Sequence, residues 1–332
     1  MHEFLLDRLV CPMCHGCLEW TIVDAAGGKI KTAEASCASC SASYPVMEGV
    51  ALLLTPELPR KDMWEQLESQ LGRQVRAHPE VERKLMKVPV NTLTPADQFL
   101  RGLLLEERGE HEQAAQVIGQ ASRGLYTPEY LACADSMIGH LIGQLAGVDE
   151  PVFDLASGRG RLVEEMLRRL KSPVVATDFS PRVLRGDLRR WQWLGMHDRV
   201  SLLSFDARRT PFDDGAVKTM TSYLGLPNIE EPGHLLHELR RVVSGKLIAV
   251  MHFFPEDDEA NREAILQAEL QTMLYRRTAL AAFLAAGFDV EVACVCMSRA
   301  CPTPRSIVLD GVGIDALPVA ETTLEWCVLV AQ

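Results

Sequence analysis

From about residue 150 onward, apolar positions along the chain switch repeatedly between short continuous runs and helical spacing. Val152-Phe153-Asp154-Leu155 reads as a short buried strand. After a glycine-containing turn, "RLVEEMLRRL" repeats apolar residues every three or four positions, as a helix does. Val174-Val175-Ala176-Thr177-Asp178 is a second strand, ending in an acid. Further strands are predicted within "RVSLLSFDARRTPF", "VKTMTSYLGLPNIEEPGHLLHELRRVV", "GKLIAVMHFF" (245–254), "FLAAGFDVEVACVCM" and "TLEWCVLVAQ". Strands alternating with helices predict an α/β domain over 148–332.

Upstream the pattern changes. Pro56 and Pro59 in "TPELPRK" punctuate the exit from a first module, 1–57, into a charged helical segment, 58–147. There "RKDMWEQLESQLGRQVRAH" and "ADQFLRGLLLEERGEHEQAAQVIGQASRGL" carry apolar residues at helical spacing. Part of the second resembles half of a tetratricopeptide helix pair, without a second copy. "TPEYLACADSMIGHLIGQL" (127–145) predicts a helix capped by Thr127 with Pro128 at its first position.

Composition narrows the class. An apolar fraction of 47% with 24% charged residues is enough to build a sizeable core. No apolar run approaches the roughly 18 residues that span a bilayer, and the N-terminal stretch lacks a signal-peptide layout. A cytoplasmic location is the expectation. The net charge of -11 disfavours phosphate-rich partners, yet 151–210 is rich in arginine. That surface reads either as solvated helix faces or as a docking face for RNA or an acidic partner.

Five of the ten cysteines lie in the first 40 residues. Cys11-Pro12-Met13-Cys14 and Cys37-Ala38-Ser39-Cys40 are two CxxC pairs, each a tight turn that aims two sulfurs at one point. The stretch between them reads as a hairpin turning at Gly27-Gly28. The expectation is a zinc ribbon with Cys11, Cys14, Cys37 and Cys40 as ligands, and with His15 and Cys17 spare. "LLDRLVCPMCHGCLEW" and "CASCSASYPVMEGVALLL" resemble the small zinc-ribbon family that activates RNA and release-factor methyltransferases as a separate subunit. The resemblance covers about the first 55 residues and implies a structural metal, because four thiolates leave no open position. Cys294 and Cys296 read as core thiols, with a second metal site at Cys294, Cys296 and Cys301 disfavoured.

The turn "DLASGRGRL" joins strand to helix as nucleotide-binding loops do. A dinucleotide fingerprint starting at Gly158 fails, since Val163 stands where a third glycine would be needed. The acid-x-G-x-G-x-G pattern fits better, with Asp154 as the acid and Ala156 in the first glycine position. Together with Asp178, Asp206 and the motif after Tyr223, it resembles class I S-adenosylmethionine (SAM) methyltransferases of the ubiquinone/menaquinone-biosynthesis type. The usual Pro-Gly-Gly before the fifth strand is reduced here to Ser244-Gly245.

That resemblance implies a Rossmann-like, seven-stranded sheet and a SAM pocket. It would be formed by Asp154, Ala156, Gly158 and Gly160 at the methionine end, Asp178 at the ribose, and Phe179, Asp206 and Ala207 around the adenine, with Tyr223 nearby. Arg159 is expected to point to solvent rather than at the SAM carboxylate. A general base is needed only if the acceptor arrives protonated. Tyr223, His234, His237 and His252 are the candidates, with His252 and Tyr223 the better placed.

Three functions follow: methyl transfer to a small or medium metabolite, RNA methylation with the ribbon as substrate module, and a non-catalytic SAM-binding scaffold. The end of the fourth strand lacks both Asn/Asp-Pro-Pro-Tyr and a Pro-Cys pair. These absences speak against amine methylation of bases or glutamine and against cysteine-mediated pyrimidine methylation.

Overall fold

A computed structural model describes residues 1–55, 71–73 and 75–332. The helix expected over "RKDMWEQLESQLGRQVRAH" falls mostly outside the described residues; 71–73 and 75–77 are helical.

The strands are β1 Leu18–Ala26, β2 Lys29–Cys37, β3 Ser43–Met47, β4 Val50–Leu53, β5 Val152–Asp154, β6 Val174–Asp178, β7 Val200–Phe205, β8 Val217–Tyr223, β9 Val243–Phe253, β10 Val290–Ala300 and β11 Thr322–Ala331. They form one mixed sheet in the order β1-β2-β3-β4-β7-β6-β5-β8-β9-β11-β10. Among the described residues the sheet has eleven strands rather than the seven expected. Strands β1 to β4 extend it, because β4 pairs in parallel with β7 from Val50↔Leu202 to Leu53↔Phe205. The physical reason lies in "VALLL". Val50, Ala51 and Leu53 are all buried, so this short run covers an edge that would otherwise expose unpaired backbone.

The helices are α1 Pro79–Lys87, α2 Pro95–Glu107, α3 His111–Leu125, α4 Pro128–Gln144, α5 Arg161–Arg169, α6 Pro181–Trp193, α7 Pro232–Val242, α8 Glu259–Gln267, α9 Gln271–Leu274 and α10 Arg276–Ala285. Thr127 caps α4 as expected, its side chain accepting from Tyr130 N, and Thr94 caps α2 by accepting from Asp97 N. The long apolar-periodic stretch beginning at 96 breaks at Gly109, whose φ of 78° ends α2 before α3 begins.

Each face of the sheet has its own core. On one face Met137, Ile138 and Leu141 of α4 meet Leu162 and Met166 of α5 and Trp191 of α6. On the other, Leu235 and Leu239 of α7 and Phe283 of α10 pack with Leu5, Ile30 and Tyr44 of the N-terminal module. That shared core and the β4–β7 ladder join the module to the α/β domain. Among the described residues, no helix is long and apolar enough to cross a membrane.

Cys294 and Cys296 depart from the expected pair of core thiols. A bulge between Ala293 and Val295 puts Cys294 at φ 52°, and half-buried Cys296 forms a disulfide with Cys133 of α4. The helix simply passes close enough, with Cα atoms 5.8 Å apart.

Candidate functional site

β5 and α5 are joined by a loop that must reverse direction within a few residues. Ala156, Gly158 and Gly160 all take left-handed backbone, with φ of 51°, 51° and 66°. At 160 glycine is also required by space: a Cβ would sit 2.5 Å from Trp191 Cζ2. The loop is sewn to β6. Ser157 N donates to Thr177 O (2.8 Å) and Gly158 N to Asp178 Oδ2 (2.9 Å), while Asp178 Oδ1 accepts from Ser180 N (3.0 Å).

Asp154 lies beneath this loop at 1% exposure. Its Oδ1 accepts from the Thr221 hydroxyl at 2.7 Å, and burial pushes the carboxyl up to about 7. It is a buried strut between β5 and β8 and does not line the pocket above.

That pocket opens at the carboxyl ends of β5, β6 and β7, where open α/β sheets bind ligands. Ala156, Asp178, Phe179, Asp206 and Ala207 line it together, and Gly158 and Gly160 sit in the adjoining loop. Tyr223 is outside the lining. Its hydroxyl accepts from Arg161 (3.2 Å), and burial pushes it up to about 12.

Arg208 is a pocket residue that sequence reasoning missed. Only 4% exposed, it donates Nε to Asp206 Oδ1 (3.0 Å) and Nη2 to Asp206 Oδ2 (2.8 Å), and its Nη1 reaches Glu231 at 2.8 Å. The expected carboxylate of Asp206 is therefore already held in a two-pronged pair. Arg208 also ties β7 to the 228–231 segment, whose Asn228, Ile229 and Glu230 close one side of the pocket. The only signal in the sequence was an arginine two positions after the acid.

Arg159 corrects an expectation. Rather than pointing to solvent, it pairs with Glu106 of α2 at 2.5 Å and lies 5.6 Å from the Phe99 ring. The C-terminal turn of α2, which presents this acid, comes from the helical segment. Arg190 joins the cluster through Glu164 (2.6 Å), Asp187 (3.0 Å) and Glu106 (3.7 Å).

Other arginines of 151–210 are similarly engaged. Arg161 pairs with Asp135, Arg168 with Glu164 and Glu165, Arg182 with Glu107 and Arg185 with Glu48. Arg199 closes the C-terminal carbonyls of α5 through Leu167 O and Leu170 O.

Of the base candidates, His234 and His237 are exposed on α7. His252, at the end of β9, is held between Trp326, Tyr130 and Phe254, with ring centroids 5.1, 6.4 and 6.4 Å away. Its Nδ1 is buried without a hydrogen-bond partner, and burial pushes the ring down to about 4, leaving it neutral near physiological pH.

Cys11, Cys14, Cys37 and Cys40 come together with all four sulfurs within 4.8 Å of one another, and Cys11–Cys40 and Cys14–Cys37 at 3.6 and 3.5 Å. Sulfurs bound tetrahedrally to zinc at about 2.3 Å would stand about 3.8 Å apart, so the donor set fits that ion. Among the described residues no other such group occurs, so Cys294, Cys296 and Cys301 do not form a second one.

The family model for a methyltransferase domain matches residues 152–245. Over 105 residues the chain is 38% identical to a demethylmenaquinone methyltransferase of Clavibacter sepedonicus, covering 31% of this chain and 41% of that protein. The match thus spans less than half of that relative's length. Solved structures align more loosely. A geranyl diphosphate C-methyltransferase from Streptomyces coelicolor is 18% identical with a TM-score of 0.46, covering 67% of this chain and 84% of its own. A SAM-dependent methyltransferase from Aquifex aeolicus is 17% identical with a TM-score of 0.42, covering 61% and 93%.

Proposed function

We propose that this chain is a SAM-dependent methyltransferase acting on a small-molecule acceptor. It would be organised as a zinc ribbon (1–57), a helical substrate-side segment (58–147) and a methyltransferase domain (148–332). The observation that carries this reading is the convergence of Ala156, Asp178, Phe179, Asp206 and Ala207 on one pocket beside a loop in left-handed conformation. Bound SAM supplies a methyl group already activated on a sulfonium, so much of what the chain must do is position and desolvate the partners.

Asp178 would accept the ribose hydroxyls, Phe179 would cover the adenine, and Gly158 and Gly160 would admit the amino-acid end close to backbone. Asp154 acts one layer below, holding β5 to β8. Four thiolates at Cys11, Cys14, Cys37 and Cys40 would hold zinc as a structural ion.

The similarity to a demethylmenaquinone methyltransferase supports a small acceptor. Methylation of RNA is the second reading; Arg159, Arg161, Arg168 and Arg182, which favoured it, are paired with Glu106, Asp135, Glu164 and Glu107 of this chain. Transfer of labelled methyl from SAM into fractionated cell extract tests the proposal. Label is expected in the small-molecule fraction. Label in RNA would establish the alternative acceptor, and SAM binding without any label would leave a scaffold.

A further inference from the structure

Along the carboxyl edge of the sheet, the order β7-β6-β5-β8-β9 puts the pocket at Asp206 and Asp178 on one side of the 155–160 loop and His252 on the other. β8 connects them. Leu155 N donates to Thr221 O (2.8 Å), the Ser222 hydroxyl donates to Leu155 O (3.0 Å), and Tyr223 ends the strand beside the loop.

Around His252 the chain gathers aromatic side chains from three regions. Tyr126 and Tyr130, at the entry to α4, stack at 4.9 Å; Tyr130 meets Trp326 of β11 edge-on at 4.8 Å; and Trp326 faces His252 across the β9–β11 ladder. The charged groups close by are already committed. Asp315 accepts from the Tyr126 hydroxyl (3.0 Å), and Arg161 is held by Asp135 and Tyr223. His252 Nδ1 is the exception, buried and without a partner among the described residues. An orphaned buried polar atom is destabilising, and a ligand group bonded to it would remove that cost.

We propose that this aromatic enclosure is the acceptor site and that His252 Nδ1 receives the hydroxyl proton of a neutral, largely apolar acceptor methylated on oxygen. The proposal rests on the SAM-dependent reading above. The acceptor oxygen forms its bond to the methyl carbon as the sulfonium carbon–sulfur bond breaks and that electron pair returns to sulfur. The hydroxyl proton passes to His252 Nδ1, in the Nε2–H tautomer, and then to solvent. A neutral imidazole is a sufficient base because the oxygen becomes strongly acidic only as the methyl group arrives.

A phosphate or carboxylate acceptor would meet Arg161, which among the described residues is already held by Asp135 and Tyr223. A cationic amine would need an ionised Asp315, yet burial raises that carboxyl and Tyr126 already occupies it. Tyr126 and Tyr130 give the helical segment a part in choosing the substrate.

The test uses the full chain with para-cresol, para-methylbenzylamine and phenyl phosphate as probes, measured by calorimetry and by competition with the extract acceptor for labelled methyl. Para-cresol is expected to bind and compete, and the other two are not. His252→Phe preserves an aromatic ring against Trp326. It is expected to keep SAM affinity while slowing transfer at least about 100-fold. His252→Ala is expected to regain part of its rate with added imidazole. Preferential binding of the amine or the phosphate would overturn the proposal, as would wild-type transfer by His252→Phe. Failure of the wild-type chain to bind SAM would instead overturn the reading on which it rests.

Discussion

Arg208 holds Asp206 through two hydrogen bonds, at 3.0 and 2.8 Å, at the mouth of the pocket where an adenine would lie. Breaking a buried pair of this kind costs about 3–5 kcal/mol, because the remaining charge is left uncompensated. Arg208→Ala should destabilise the fold by that order and weaken SAM binding about tenfold or more. Arg208→Lys should restore little, since an ammonium cannot make the fork. Calorimetric titration of SAM into both variants checks this, and unchanged affinity would remove Arg208 from the site.

Glu106 links the helical segment to the loop between Gly158 and Gly160 through Arg159. The pair is about four-fifths buried, so its coupling should exceed that of an exposed bridge. A double-mutant cycle of Glu106→Gln and Arg159→Ala, read by chemical denaturation, should give a coupling of about 1 kcal/mol or more. Additive effects would mean that α2 only rests on the loop.

Asp154 makes stability depend on pH in a definite direction. Its folded carboxyl titrates near 7, above the unfolded value of about 4. The folded chain therefore holds a proton that the unfolded chain releases, and the associated stability is lost as pH rises through that window. Asp154→Asn cannot ionise and should gain on the wild type as pH increases from about 4 to about 7. Thermal unfolding across this range gives the difference; parallel curves for the two proteins would refute the assignment.

β4 pairs with β7, so the four-cysteine cluster's module and the α/β domain share one sheet. Chelation, or Cys14→Ser, should lower the midpoint of a single unfolding transition common to both parts. About one zinc per chain is expected by elemental analysis. A metal-free chain with an unchanged midpoint would show that the four thiols are not a metal site.

Local signals made much of this legible. Glycine spacing and acids at strand ends marked Ala156, Asp178 and Asp206, and the CxxC spacing marked the sulfur cluster, because neighbours in sequence create those features. What stayed hidden depends on distant partners. Nothing near Arg159 announces Glu106, 53 positions earlier, and Cys296 finds Cys133 across 163 residues. The joining of β4 to β7 was hidden too, since an apolar run declares a strand but not its neighbour. His252 was visible as a candidate, but its aromatic enclosure emerges only once α4 and β11 pack against β9.

Everything proposed for this chain depends on SAM occupying the pocket at Asp178 and Phe179. The most direct test is calorimetric titration of SAM into the wild-type chain and into the Asp178→Ala, Gly158→Arg double variant. Saturable binding near one per chain, abolished in the double variant while its unfolding stays cooperative, is the predicted result. Unchanged affinity in that variant would mean that SAM does not occupy this pocket.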